Sequence, residues 1–152
     1  MDTVLSAVDR QCLPGPYTGG WLNLECYRAW ELPFFFVGCG IWALAYFVII
    51  RNALKYKFVE MPAIAGAANI AWEFVWSFLL STNMGKLAEY TYKVWFLTDI
   101  AIFILIWRLG DKQGWAPAMR RHFRILFVIS ILFLGLYFRA YHTAGRVDHY
   151  IG

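Results

Sequence analysis

A carboxyl group inside a long apolar stretch is the feature of this sequence with the clearest chemical potential. Glu73 lies within residues 61–80. This stretch is long enough to form a membrane-spanning helix, and it is mostly apolar apart from Glu73. An ionisable side chain at that depth costs at least about 2.5–3.5 kcal/mol on insertion scales, so it normally faces a protein interior or a water-filled cavity and serves a function there. Glu73 is therefore the first candidate catalytic residue.

The spacing around Glu73 predicts a polar ridge beside a wall of indole rings. Residues four apart share one face of an α-helix, so Asn69, Glu73 and Ser77 align, and Trp72 and Trp76 align on the adjacent stripe. Asn69, Trp72 and Trp76 are the candidate substrate-binding residues of this helix.

Asp99 is a second carboxyl group in an apolar run, residues 92–107. At 1.5 Å per residue, Glu73 lies about 10 Å from the outer end of its helix, and Asp99 lies about 8–10 Å inward from the outer end of the next one. Trp95 lies one turn outward of Asp99 on the same face, and Phe103 offers a further aromatic ring. We expect one pocket to contain both carboxyl groups, and burial predicts that at least one is protonated near neutral pH.

Each of these residues also has a purely structural interpretation. An intramembrane carboxyl group, or an asparagine such as Asn69, can hydrogen-bond a neighbouring helix and serve only packing. Tryptophans often anchor helices at the membrane interface. The histidines, His122, His142 and His149, form no cluster typical of a metal site.

Composition indicates the elements that must position these groups. The 152 residues are 61% hydrophobic and 20% aromatic, which is typical of an integral membrane protein. We predict an all-α, polytopic helix bundle with an interfacial leader at 1–31, a polar end at 139–152, and four spans between them, at 32–50, 61–80, 92–107 and 123–138.

Basic residues next to the spans predict the orientation. They follow the first span as Arg51, Lys55 and Lys57, and they follow the third span in larger number. The positive-inside rule then places the amino terminus outside the cytoplasm, across a bacterial plasma membrane or in the lumen of the endoplasmic reticulum. The net charge of +4 therefore reflects topology in a lipid bilayer and does not indicate a nucleic-acid partner.

Several chemistries have no motif in this sequence. It contains no serine-nucleophile elbow, no phosphate-binding glycine loop, no His-Glu-x-x-His helix and no aspartate-rich run that could hold magnesium against a diphosphate. Cys12 and Cys26 flank a Pro/Gly-rich loop and could pair in an oxidising compartment, but they form no metal motif. We expect acid–base catalysis without a metal or other cofactor.

The segment Glu60-Met-Pro-Ala-Ile-Ala-Gly-Ala-Ala-Asn-Ile-Ala-Trp-Glu-Phe-Val-Trp76, followed by Trp95-Phe-Leu-Thr-Asp99, resembles the small integral-membrane terpene cyclases of fungal meroterpenoid and indole-diterpene biosynthesis and their bacterial relatives. The Asn-x-Ala-Trp-Glu pattern is the specific part of this resemblance, which extends loosely over residues 38–108.

The resemblance implies a seven-helix bundle that protonates a prenylated, often epoxidised, polyene and closes rings through carbocations. It assigns the general acid to Glu73. Asp99 and Asn69 could hydrogen-bond Glu73 and set its pKa, or one of them could take part in the final deprotonation. The second essential acid of the family lies in its last helix, which has no counterpart here. We therefore expect the chain to be part of a longer protein; a homo-oligomer that completes the pocket is the alternative.

Two other functions compete with the cyclase. In the first, Glu73 and Asp99 form a proton or ion relay in a small non-enzymatic membrane subunit, although a relay needs further polar groups along a path. In the second, the bundle is purely structural and Glu73 pairs with a lysine or arginine. Against that interpretation, no basic residue lies within the four predicted spans.

Overall fold

The computed structural model describes residues 19–24, 27, 30–113 and 117–143. The suggested Cys12–Cys26 pair, His149 and much of the predicted leader and polar end lie outside these residues. In the described part of the chain every regular element is helical, which confirms the all-α prediction. The elements are α1 (Glu31–Tyr56), α2 (Ala63–Phe74) with a π-helical turn (Val75–Leu79), α3 (Lys86–Leu109) with a 3-10 turn (Gly110–Lys112), and α4 (Pro117–Thr143).

Two of the four helices in the described residues are long and apolar enough to cross a membrane. They are α1 and the Arg120–Thr143 part of α4, while Ala63–Leu79 forms a shorter apolar helix. Large apolar side chains stand exposed on both long helices, for example Phe34, which is 73% exposed, and Leu136, which is 69% exposed. Such surfaces are expected where lipid rather than water surrounds the helix.

A helix lies at each of the four predicted spans, but α1, α3 and α4 are longer than the apolar runs that predicted them. Charged residues end an apolar run without ending a helix. The helices instead end or begin at backbone signals: Lys57 adopts a left-handed conformation after α1, Gly85 has φ +105° before α3, and Pro117 starts α4. The connection between the second and third helices is shorter than the gap between the predicted spans 61–80 and 92–107, because α3 already begins at Lys86.

The closely packed core lies at one end of the bundle, where α1 and α3 end and α2 and α4 begin; we call this the inner end. Here α2 packs against both α3 and α4, and small residues make the close approach possible. A side chain at Gly66 would overlap Ile106, and Ala67 is fully buried. The core cluster consists of Tyr46, Ala53, Val59, Ala67, Ile102, Ile106, Phe123 and Phe127.

The opposite, outer end is closed over α3 by the segment that precedes α1. The carbonyl oxygens of Gly20 and Trp21 accept from the amides of Lys86 (3.2 Å) and Leu87 (3.0 Å), which are free donors at the start of a helix. Asn23 is 1% exposed and donates from Nδ2 to the Asn83 carbonyl oxygen at 2.9 Å. These bonds seat the segment on the beginning of α3.

Gly85 permits this close approach, and we expect Gly85→Ala to destabilise the outer end. Its φ of +105° and ψ of 174° are a combination that essentially only glycine adopts, and a Cβ there would lie 2.6 Å from the Trp21 carbonyl oxygen. The expected cost is about 1–3 kcal/mol or more, measured as a lower unfolding temperature in detergent. The control is Gly40→Ala, where the structure leaves open space; an equal effect of both changes would contradict the expectation.

Candidate active site

Glu73 lies in the last turn of α2, immediately before the helix changes its winding. It is 5% exposed, and Asn69 lies one turn earlier on the same face. From Val75 to Leu79 the chain forms a π-helical turn, a rare widening of the helix that is often found at functional sites. Asn69 and Glu73 line the cleft described next, whereas Ser77, which lies within the π-helical turn, is not among its lining residues.

A cleft of about 500 Å³ opens beside Glu73, between α1, α2 and α3. This volume lies within the range of small-molecule sites, roughly 300–1,000 Å³. Its lining is mainly aromatic with few polar groups: Phe34, Phe35, Gly38, Cys39 and Trp42 from α1, Asn69, Trp72 and Glu73 from α2, and Tyr92 and Trp95 from α3. Four of the sequence-predicted site residues, Asn69, Trp72, Glu73 and Trp95, thus surround one space.

Asp99 lies behind this cleft, where Tyr46 of α1 connects it to α2. The Tyr46 hydroxyl accepts from Asn69 Nδ2 at 2.9 Å and is hydrogen-bonded to the Asp99 carboxyl group. Tyr46 is 3% exposed and Asp99 is 2% exposed, so both side chains are buried. The carboxyl groups of Glu73 and Asp99 are near enough to interact electrostatically. The network therefore links one side chain from each of three helices to the neighbourhood of Glu73.

Each buried carboxyl group retains one oxygen without a partner. Among the described residues, Glu73 Oε2 and Asp99 Oδ2 form no hydrogen bond, and neither group forms an ion pair. The structure thus gives no support to the interpretation in which Glu73 pairs with a lysine or arginine. An unpaired, ionised carboxylate would be costly in this apolar setting, whereas a carboxyl group that faces a cleft can turn its free oxygen toward a bound molecule.

The structure separates two of the predicted aromatic residues from the cleft. Trp76 packs against Trp72, with centroids 5.7 Å apart, and stacks on Tyr92 at 5.4 Å, so it supports rings that line the cleft. Phe103 stacks on Phe127 at 5.4 Å and on Trp107 at 5.8 Å, within the apolar packing of the inner end. Phe103 therefore has a packing position in this structure and does not line the cleft.

Several residues of α1 that line or support the site were missed from the sequence. Phe35, Cys39, Trp42 and Tyr46 recur at spacings of three and four, which places them on one helix face. The sequence does not distinguish this stripe from the rest of the helix, because the other faces of α1 are equally apolar. The tyrosine hydroxyl in the middle of the span was the available signal.

Comparison with known proteins gives a consistent result. The family described as Pyr4-like transmembrane terpene cyclases matches residues 17–145. The Pyr4-family terpene cyclase mfmH of Annulohypoxylon moriforme is 33% identical over 72 residues, which cover 47% of this chain and 29% of the relative.

Two further relatives match longer parts of the chain. Terpene cyclase ascF of Acremonium egyptiacum is 32% identical over 101 residues (65% of this chain, 36% of the relative). Terpene cyclase adrI of Penicillium rubens is 27% identical over 112 residues, which cover 73% of this chain and 44% of the relative. In each case the matched region spans less than half of the relative's length. No solved structure matches this chain.

If the Tyr46 hydroxyl holds α1 against α2 and α3, Tyr46→Phe and Asn69→Leu should not be additive in stability. Interhelical hydrogen bonds in membranes contribute about 0.6 kcal/mol on average and up to about 1.7 kcal/mol. We expect a coupling energy of that size in a double-mutant cycle, measured by unfolding in detergent. Tyr56→Phe, on the exposed end of α1, is the control and should show no coupling energy with Asn69→Leu. Additivity of the Tyr46 and Asn69 variants would contradict the bridge.

Proposed function

The chain belongs to the Pyr4-like transmembrane terpene cyclases, and from this premise we propose that it protonates an epoxide or a terminal alkene of a prenylated substrate and closes rings through carbocations. The membership confirms the resemblance carried by residues 60–76, and the protein is a membrane protein. One observation supports the proposal most directly: the Glu73 carboxyl group lines a mainly aromatic cleft and has an oxygen without a described partner.

In the proposed reaction Glu73 is the general acid. Its proton goes to the epoxide oxygen, whose C–O bond opens, or to a carbon of the terminal alkene, whose π electrons form the new C–H bond. The resulting carbocation is attacked by the next double bond of the chain, and each ring closure moves the positive charge along the substrate. Loss of a proton to the Glu73 carboxylate, which regenerates the acid, or to the carboxylate of Asp99, from which it must return to Glu73, ends the sequence. Atoms balance without a co-reactant, so the product is an isomer of the substrate.

The aromatic lining suits a cation that moves. Trp72 and Trp95 line the same cleft as Glu73, and Trp42 and Tyr92 add further rings. An aromatic face attracts a cation by about 0.5–2 kcal/mol without forming a bond to it. A lining of this kind also excludes water, which would otherwise intercept the intermediate.

The arrangement of the helices supports the predicted location of the site in the outer half of the membrane. Tyr46 of α1 is hydrogen-bonded to Asp99 of α3, and residues earlier in both helices line the cleft. These contacts show that α1 and α3 run in the same direction. With the amino terminus outside or lumenal, as the basic residues predict, the cleft lies toward that side. We propose this orientation for a bacterial plasma membrane or the endoplasmic reticulum.

Replacing Glu73 by glutamine removes the transferable proton while it keeps the size of the side chain. We expect cyclisation to fall by about 10²–10⁴-fold, the usual contribution of general acid catalysis. Membranes containing the protein are incubated with an epoxy-farnesyl aromatic compound and with the epoxide-free polyene, and cyclic isomers of unchanged mass are identified by mass spectrometry and NMR.

The matched control is Glu60→Gln, which changes an exposed carboxyl group that accepts from Asn52 outside the cleft, and it should leave turnover unchanged. Correctly inserted wild-type protein that cyclises no member of a broad substrate panel would contradict the proposal. The proton or ion relay would then be the leading function.

Trp72 offers a test of cation stabilisation. We expect Trp72→Leu to lower kcat by about 2- to 30-fold, which corresponds to the loss of about 0.5–2 kcal/mol of cation–π attraction. Trp72→Phe retains an aromatic face and should recover much of the rate. Equal losses in the two variants, measured as initial rates of product formation, would show that the volume of the ring matters and its π system does not.

A further inference from the structure

A thiol lies among the aromatic rings of the cleft. Phe35, Cys39 and Trp42 follow one another on α1 at spacings of four and three residues, and all three line the cleft. Cys39 forms no disulfide, and its side chain is partly exposed. The thiol is therefore available to a molecule that lies in the cleft.

The acid that would activate such a molecule lines the same space. Glu73 is 5% exposed, and among the described residues its Oε2 has no hydrogen-bond partner. A buried carboxyl oxygen without a partner is unusual in proteins, and a bound molecule would satisfy it. Tyr92 also lines the cleft and is near enough to both Glu73 and Cys39 to interact electrostatically with each. The acid and the thiol thus lie near one side chain and open onto one cavity.

Cys39 differs chemically from its neighbours on α1. Phe35 and Trp42 attract a cation through the faces of their rings and form no bond to it. The cysteine sulfur carries lone pairs and is intrinsically very nucleophilic. A carbocation is electrophilic enough to accept such a pair from an uncharged thiol. A cation that persists in the cleft can therefore form a covalent bond with Cys39.

In the proposed reaction the substrate carries its own nucleophile. The next double bond of the same molecule attacks the cation, and a well-oriented intramolecular group competes with an effective concentration of about 10⁵–10⁸ M. An epoxide without a following double bond forms the same cation but has no internal group to attack it. The fate of that cation then depends on the side chains that line the cleft.

We propose that Cys39 is a covalent modification site for isoprenoid epoxides that lack a following double bond. The inference rests on the proposed function, because Glu73 must supply the proton. Glu73 protonates the epoxide oxygen, the C–O bond opens, and the cation accepts a lone pair from the Cys39 sulfur to form an S–C bond. The sulfur then loses its proton to the Glu73 carboxylate, which restores the acid. The net change is the addition of one epoxide molecule to one thiol, without a co-reactant.

The modification is measured as a gain in mass. Membranes containing the protein are incubated with an epoxy-farnesyl aromatic compound whose remaining double bonds have been hydrogenated, which we call the saturated probe. Mass spectrometry of the intact chain should show the addition of one probe, and peptide mapping should place it on Cys39 rather than on Cys12 or Cys26. Glu73→Gln should slow the labelling by about 10²–10⁴-fold, because it removes the proton that opens the epoxide.

A matched control moves the thiol without removing it. Cys39→Ala alone should abolish labelling. The double variant Cys39→Ala/Ile41→Cys carries the thiol two residues later on α1, where Ile41 is 64% exposed and does not line the cleft, and it should stay unlabelled. Labelling of position 41, labelling that persists in Glu73→Gln, an adduct on Tyr92 or Glu73, or conversion of the saturated probe without an adduct on Cys39 would overturn the proposal.

A parallel assay distinguishes failure of this site from failure of the proposed function. The same membranes receive the epoxy-farnesyl compound with its double bonds intact, and cyclic isomers are measured. If these form while the saturated probe leaves Cys39 unmodified, the proposed function stands and the modification site is wrong. If the wild type cyclises nothing, the proposed function fails, and with it the acid-dependent route to the adduct.

The position of the thiol in a cleft that binds an apolar chain is tested without turnover. N-decyl iodoacetamide alkylates a thiol with loss of iodide and needs no acid. We expect it to label Cys39, and we expect the epoxide-free polyene, at ten times its dissociation constant, to slow that labelling by about tenfold because both molecules occupy the cleft. Failure to label Cys39, or labelling that the polyene leaves unchanged, would overturn the site.

Discussion

The hydrogen bonds of one tyrosine hydroxyl hold the site together. Tyr46 brings Asn69 of α2 and Asp99 of α3 to a single oxygen atom deep in the bundle. In a lipid environment no water is present to hydrogen-bond a polar side chain. Three helices that each carry such a side chain are therefore favoured to pack where these side chains can hydrogen-bond to one another. Apolar packing alone does not specify this register, because many rotations of an all-apolar helix bury similar surfaces. The positions of Glu73 and of the cleft follow from that meeting point.

The two ends of the bundle differ in how closely the helices pack. At the inner end, small residues on α2 let Ile106 and its neighbours pack without space between them. Toward the outer end α1, α2 and α3 line the cleft mainly with aromatic side chains. Ring contacts also link the cleft lining to neighbouring side chains, because Trp72 packs against Trp76 and Phe138. The π-helical turn after Glu73 belongs to this open half.

Much of this arrangement could be predicted from the sequence because apolar runs and intramembrane charges are strong signals. The helical fold, the four helix positions and the grouping of Asn69, Trp72, Glu73 and Trp95 all follow from hydropathy and from the 3.6-residue period. The helix boundaries could not be predicted from hydropathy, because the backbone conformation of Lys57 ends α1 and that of Gly85 precedes the beginning of α3. The position of Phe103 depends on its stacking with Phe127 of another helix, which no local period encodes. The π-helical turn likewise has no simple sequence signature.

The kind of partner that surrounds the two acids bears on the chemistry they can perform. A carboxylate paired with lysine or arginine is held in its charged form and has no proton to give. Here the described partners are neutral: a tyrosine hydroxyl for Asp99 and aromatic rings beside Glu73. Neutral donors can orient an acid while its proton remains available, and aromatic rings stabilise a cation without ending its path as a nucleophile would. The proposed reaction, which releases a proton into an apolar substrate and passes through a carbocation, needs both properties in one cavity, and the helix faces of α1, α2 and α3 bring them together.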